Sequence, residues 1–465
     1  MQVRSIVIAN IIEFNRRAMT GGFTPGEYVS WDTASTDLTD MALFWYGDSK
    51  LVILPRPPDE EFVSDIKIAL RYNNVRVISP ARTSSSICKD ILEDTDLFGF
   101  LVDSLRTSES SQIITWGVTD QFYVLLDELQ RAGVSVCCQT PEAPPKDKYW
   151  TALYLESKAG FREFAARLQE EIPGLHLPEG FTCGSKELAV EAIGHFWSKQ
   201  RGFVFKANYG TGGFSTLCYP ANLLARGLKS LRRDALHRMS FDHFWDNPPV
   251  ILEEHIPGPN GSRAIVPTID FIIDSDGMVR MMGAGTMLMR RDWLYSGIQC
   301  GLGSLDPAIE ATMIRIGRQV GYAMADMGYR GWFDIDFVIG AEGEIFLTEI
   351  NARKASPAHV FDIASHILGE SWMCRCSIYA NDHLRLQGSC CPSYSTIRKV
   401  FAAFNSDHNE ISVRAIPTIA SSSLSRRTPY LGYAVLAEDT PDASYYAAQL
   451  EGQIRDAIGM NLDSQ

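Results

Sequence analysis

Residues 332–353, WFDIDFVIGAEGEIFLTEINAR, restrict the chain more than any other stretch: two apolar-rich runs flank the turn-forming GAEG at 340–343, the pattern of a β-hairpin. A four-residue loop sets Ile339 opposite Glu344, Asp334 opposite Glu349 and Asp336 opposite Leu347. Side chains alternate between faces along a strand. One face then carries Phe333, Ile335, Phe337, Phe346, Thr348 and Ile350, and the other Asp334, Asp336, Leu347, Glu349 and Asn351, with Asp336 diagonal to Glu349. Crowded carboxylates repel one another unless a cation sits among them. Two carboxylates and an amide carbonyl are oxygen donors, which suit Mg²⁺, with Mn²⁺ as an alternative. Asp336, Glu349 and Asn351 are the candidate ligands, and Asp334 is an additional acid on that face. The competing reading is a sheet with one solvated face.

A chain of 465 residues is expected to hold two or three domains. Forty-three Lys and Arg against 56 Asp and Glu give a net charge of −13, which argues against nucleic acid or an anionic membrane as the main partner. Any phosphate must then be met by local cations, so Lys and Arg beside Gly-rich loops carry the information. Ten cysteines in such a length are not a disulfide framework, and none has zinc-ribbon spacing. The opening MQVRSIVIANIIEFNRR has an apolar run too short for a signal peptide and reads as a first strand. No run is long enough to cross a membrane, and a cytoplasmic enzyme is the expectation.

Residues 1–145 alternate short apolar strands (SIVIAN, LVILP, VRVISP, IITWG, VSVCCQ) with helical stretches, which argues a parallel α/β domain. No G-x-G-x-x-G follows the first strand, so a dinucleotide site is not supported. GGFTPGEYVSWD (21–32) reads as a Gly-rich loop with no helix directly after it, and a role as a substrate or lid loop stays open beside a plain surface loop. TPEAPPKDK (140–148) is a Pro-rich joint, followed by the helical YWTALYLESKAGFREFAARLQEE. Beyond it come strand, Gly loop and strand in FVFKANYGTGGFSTLCY, a strand in PVILEEHIPG, and a long hairpin built on DSDG in 264–289. A helix at 307–328 leads into the opening hairpin. From about residue 366 the pattern is less regular, closing on an amphipathic helix, ASYYAAQLEGQIRDAIGM.

Lys206 ends a strand and is followed by Gly210, Gly212 and Gly213. Glycines let backbone N–H groups turn toward an anion, and Lys supplies a point charge. The Lys precedes the glycines, so this is not a Walker A loop. Lys148, after the joint, is a second candidate cation. Glu253, Glu254 and Ile256 lie where a strand runs into a linker, which can offer backbone groups to an adenine edge. Arg353, two residues past Asn351, points back toward the acidic face, where it could meet phosphate oxygens or pair with Asp334.

With Lys148, Lys206 and GTGG at 210–213, LEEHI at 252–256, DFV at 336–338 and EINAR at 349–353, the chain resembles the ATP-grasp superfamily of ligases over roughly residues 146–365. The first part, with KDKYWTALYLESKAGFR, resembles the pre-ATP-grasp domain of peptide ligases of the pheganomycin ligase type. The resemblance implies a Rossmann-like pre-ATP-grasp α/β domain (1–145), a two-lobed α+β ATP-grasp domain (146–365) and a C-terminal region completing the substrate site (366–465). It implies ATP between the lobes, with Lys148, Lys206 and the Gly loop on phosphate and the 253–256 segment at adenine. Asp336, Glu349 and Asn351 would hold Mg²⁺. Arg353, and Arg290 or Arg291, would steady the transferred phosphoryl group. The implied reaction joins a carboxylate to an amine, on an amino acid or peptide in a biosynthetic pathway, through an acyl phosphate with release of ADP. Two other readings stay open: a phosphotransferase on the same scaffold, and a nucleotide-binding protein without turnover. A homodimer is also left open, and PGPNG after Ile256 leaves the ribose contact unassigned.

Overall fold

The computed structural model describes residues 4–19, 23–106, 112–135, 143–210, 213–290, 293–386, 392–408 and 412–459. The first sheet is parallel and runs β3-β2-β1-β4, from β1 (Ser5–Ile8), β2 (Lys50–Ile53), β3 (Val75–Ile78) and β4 (Gln112–Thr115). Its strands are short apolar runs joined through helices, the connection parallel pairing demands. The two middle strands, β1 and β2, are buried along their length. The expected strand at VSVCCQ lies mostly outside the described residues.

The reading of 21–32 as a loop is corrected. A helix, Pro25–Asp37, starts within it: Pro25 takes the first position, Thr24 Oγ1 accepts from Glu27 N–H, and Glu27 reaches back to Thr24 N–H. The capping signature T-P-G-E was present. What was missing was an apolar stripe, because this helix packs through scattered aromatics, Tyr28 and Trp31.

The helical stretch after the joint is two helices, Tyr149–Glu156 and Lys158–Leu168, broken at Ser157. Asn208, just past the strand that carries Lys206, holds the break: its carbonyl accepts from Lys158 N–H at 3.0 Å and its side-chain Oδ1 from Ala159 N–H at 3.1 Å. A Cβ at Gly160 would stand 2.1 Å from the Tyr154 carbonyl oxygen, so the tight join needs glycine there.

A second sheet is antiparallel, ordered β5-β8-β6-β7, from β5 (Gly180–Cys183), β6 (Phe203–Ala207), β7 (Thr216–Tyr219) and β8 (Val250–Glu254). Phe203, Phe205, Tyr219 and Leu252 pack it against helices Lys186–Ser198 and Leu228–Met239.

The third sheet has eight strands: β9 (Pro267–Ile273), β10 (Val279–Met289), β11 (Tyr295–Gly301), β12 (Gly331–Ile339), β13 (Ile345–Asn351), β14 (Cys376–Arg385), β15 (Val413–Ile419) and β16 (Tyr430–Glu438). Its order is β13-β12-β9-β10-β11-β14-β16-β15. The strands after residue 365 therefore continue the sheet of those before it, and a boundary at that point falls inside one continuous ladder. The hairpin expected on DSDG is β9–β10, closing at Ile273 and Val279.

The register of the 332–353 hairpin is corrected. Ile339 pairs with Ile345, Phe337 with Leu347, Asp336 with Glu349 and Asp334 with Asn351, with an irregularity between Asp336 and Phe337. One extra residue, Thr348, separates the two registers, and Leu347 moves to the core with Phe337 and Ile350.

Candidate active site

A cleft lies between the four-stranded and eight-stranded sheets, and Lys158, Lys206, Glu253, Asp336, Glu349 and Arg353 all reach it. The shifted register strengthens the expected cluster. Asp336 faces Glu349 directly, and Asp334 faces Asn351, not Glu349. The row runs on to a third strand, since Asp334 also pairs with Asp270 of β9, as Asp336 does with Thr268. Asp270 was not singled out in the sequence, although an acid inside PTIDFII, an otherwise apolar strand, was a readable signal.

The row is short of positive charge. Burial, then the nearby Asp336 and Asp270, pushes the Asp334 carboxyl well above its usual range. Burial and Glu349 push Asp336 up to about 6. Burial raises Asp270 to about 8 although Trp332 Nε1 donates to its Oδ2 at 2.7 Å. Asp270, Asp334 and Asp336 each keep a buried Oδ1 without a hydrogen-bond partner. Buried acceptors of that kind are costly unless something donates to them or binds them. Among the described residues no three His, Cys, Asp or Glu side chains form a metal-holding group unaided. Mg²⁺ takes one or two carboxylates and fills its remaining positions with water and phosphate oxygens. Asn351 is fixed beside Asp334, its Nδ2 donating to Asp334 Oδ2 at 3.3 Å and its Oδ1 accepting from Arg353 Nη2 at 3.1 Å.

Cations stand along the opposite side. Lys158, 6% exposed, donates to Glu349 Oε1 at 2.9 Å. Burial opposes ionisation of Glu349, yet Lys158 and Lys206 beside it hold its carboxyl below the usual range. Lys206 donates to the Thr348 carbonyl at 3.0 Å and pairs with Glu253 Oε2 at 2.8 Å, while Arg162 holds Glu253 Oε1 at 2.7 Å. Glu253 thus enters the cleft by its carboxylate. Its backbone lies in register between Gly180 and Val204, inside the sheet, and not at an adenine edge as expected. Glu254 and His255 spend their N–H groups on the Glu179 and Gly202 carbonyls at 2.8 and 3.0 Å, and Ile256 is the next residue lining the cleft.

Lys148 is not in the cleft: its stem runs against Gly328. Lys158, ten positions on, is the cation that arrives there, carried by the break at Ser157. The signal was the S-K-A-G interruption of the helical pattern, read through as one helix. Gly210 and Gly213 line the cleft, and Gly213 has φ +87 with a would-be Cβ 2.3 Å from the Trp293 carbonyl oxygen, so only glycine allows that approach. Gly212 and Arg291 lie outside the described residues, and Arg290 sits in the turn after β10, donating its N–H to the Leu294 carbonyl at 2.8 Å. Arg353, 7% exposed, lies over the Trp116 ring at 5.1 Å and donates to the Lys354 carbonyl at 2.7 Å.

No family model matches the chain. It is 34% identical over 330 residues to the L-propargylglycine–L-glutamate ligase of Streptantibioticus cattleyicolor, covering 67% of this chain and 61% of that protein. Among solved structures, the biotin carboxylase of Campylobacter jejuni in complex with β,γ-ATP superposes with a TM-score of 0.55 at 13% identity, over 99% of this chain and 96% of that one. The N5-carboxyaminoimidazole synthase of Aspergillus clavatus, with ADP and 5-aminoimidazole ribonucleotide, gives 0.52 at 10% identity over 98% and 99%. These neighbours share the fold. The chain spans 61% of the length of the ligase it matches, and the solved neighbours show its fold.

Proposed function

We propose that the chain is an ATP-dependent carboxylate–amine ligase that forms an amide or peptide bond and releases ADP and phosphate. The observation that carries this reading is the cleft itself. Strand β12 brings the unpartnered carboxylate oxygens of Asp334 and Asp336, and buried Lys158 and Arg353 line the same cleft with half-buried Lys206. A polyanion and a divalent cation would satisfy both. The likeness to an amino-acid ligase supports the choice of carboxylate and amine over other phosphoryl acceptors. The protein would work in the cytoplasm on small molecules or peptides, apart from nucleic acid and membranes; among the described residues no helix is long and apolar enough to cross a bilayer.

In the mechanism, a carboxylate oxygen attacks the γ-phosphorus, the bond to the β-phosphate oxygen breaks, and ADP leaves. The amine then attacks the acyl carbon, phosphate leaves with the C–O bond electrons, and the nitrogen gives up a proton. Such transfer depends on positioning and charge neutralisation. Lys206, fixed by Glu253 and the Thr348 carbonyl, and Lys158, fixed by Glu349, would set the phosphate chain. Arg353 would bind the transferred group where both lobes meet. Asp336, Glu349 and Asn351 would hold Mg²⁺ (Mn²⁺ as an alternative), which supplies neutralisation of phosphate charge. The Gly210–Gly213 loop would cover the acyl phosphate and keep water away.

Hydroxylamine tests this without knowledge of the natural amine, because it traps an acyl phosphate as a hydroxamate. With ATP, Mg²⁺ and a panel of carboxylic and amino acids, the expected products are ADP, phosphate and a hydroxamate. AMP and pyrophosphate instead would overturn the acyl-phosphate route. Glu349→Ala is expected to remove turnover while the fold is kept.

A further inference from the structure

A second cavity, about 190 Å³, lies between the first domain and the cleft, and the two share Gly210 and Arg353 in their walls. Its apolar side is Phe14, Ala18, Trp31 and Leu153. Its polar end is amphoteric, with Arg17 and Arg353 around Glu156. Glu156 has a side chain 9% exposed, its Oε2 accepting from Ala352 N–H at 2.8 Å, and desolvation raises its carboxyl despite the two guanidinium groups. Arg353 Nε stands 3.5 Å from Glu156 Oε1 and makes no hydrogen bond, a buried donor left unsatisfied at the seam between the cavities. Arg17 is braced from behind, its guanidinium 3.7 Å over the Phe14 ring and bonded to the Val118 carbonyl at 3.1 Å.

Resting on the ligase reading, we infer that this cavity binds one free α-amino acid with a compact apolar side chain. Two guanidinium groups and a carboxylate complement a zwitterion: carboxylate toward arginine, ammonium toward Glu156. Apolar and aromatic residues beside them complement a hydrocarbon side chain. Size sets the limit, since an apolar cavity of about 150 Å³ takes benzene. The space suits a single residue and leaves no room for a dipeptide. Trp31 also contacts Phe214 beside the Gly loop, at 5.5 Å between ring centroids, so the box and the loop share a wall.

Calorimetry tests the inference apart from turnover. L-leucine, L-methionine, L-phenylalanine, glycine, L-glutamate, N-acetyl-L-leucine and L-leucyl-L-leucine are titrated into the full chain with Mg²⁺ and ADP. At least one of the three apolar amino acids is expected to bind about tenfold or more tightly than glycine, glutamate, the dipeptide or the acetylated form, the discrimination an apolar box gives. Ala18→Phe, filling the box, is expected to weaken that amino acid about tenfold or more while leaving ADP affinity unchanged. Trp31→Leu, enlarging it, is expected to shift preference toward L-phenylalanine, and this ratio decides the matter alone should Ala18→Phe fail to fold. Equal binding of all probes, tightest binding of glutamate or the dipeptide, or no binding of any apolar amino acid overturns the inference. If hydroxamate is nonetheless formed from other acids, the ligase reading stands; if none is formed from any acid, that reading falls too.

Discussion

Lys158 and Lys148 differ in what holds them. Lys158 is buried and fixed on Glu349, whereas Lys148 lies along Gly328 away from the cleft. Lys158→Ala is expected to lower kcat/KM by roughly a hundredfold, about 3 kcal/mol, the scale of one lost charge-assisted contact to a transition state. Lys148→Ala is expected to stay within about twofold of the parent, because a half-buried charge outside the site contributes little to the cleft. Steady-state ADP release reads both. Asp270 sets a second expectation. Burial raises its carboxyl from 3.8 to about 8, so between those values the folded chain keeps a proton that the unfolded chain has released. Stability then falls as pH rises through that window. Asp270→Asn keeps an acceptor for Trp332 and removes the charge. In metal-free buffer it is expected to flatten the pH dependence of the melting temperature and to stabilise the chain above pH 7 by on the order of 1–3 kcal/mol. A profile as steep as the parent's would count against Asp270 as its source.

At the level of elements, hairpins and strands were legible in the sequence because their signals are local: period-two patterns and turn residues lie within a few positions of one another. The strand that carries Lys206, the DSDG hairpin and the helix before β12 all fall where pattern places them. What was hidden depends on partners distant in the chain. The bulge at Thr348 follows from the packing of Leu347 on the core, and the break before Lys158 is held by Asn208, fifty positions on. The helix 25–37 hid behind its lack of an apolar stripe, and its partners explain why. Trp31 meets Phe214 and Phe244 at centroid distances of 5.5 and 5.2 Å, and Phe23 meets Phe244 at 4.9 Å. Such ring contacts contribute about 0.5–1.5 kcal/mol each, a factor of roughly two to ten in an equilibrium. Phe214 is otherwise half exposed, so Phe214→Ala is expected to loosen the Gly loop without unfolding it. The measurement is ADP released per amide formed, which should rise by a similar factor as water reaches the acyl phosphate. A ratio unchanged from the parent would separate the aromatic contact from closure.

Across the whole molecule, the eight-stranded sheet ties the cleft to residues far beyond its motifs. β11 pairs with β14 from Gly297–Asn381 to Gly301–Ser377, and Ile298, Cys300, Ile378 and Ala380 share one core there. Ending the chain at residue 365 would leave β11 as an unpaired edge above a stripped apolar face, a template for aggregation. Residues 1–365 expressed alone are expected to elute as aggregates by size exclusion and to lose ADP binding; a monodisperse fragment that binds ADP would refute this. The same strand order has a meaning for biosynthesis. A growing chain brings β10 and β11 out of the ribosome before 376–385 has followed, and through that interval the β11 edge lacks β14. Chaperones that shield strand edges would matter most for this protein in that interval, and the cleft could be completed only after the late strands had left the exit tunnel.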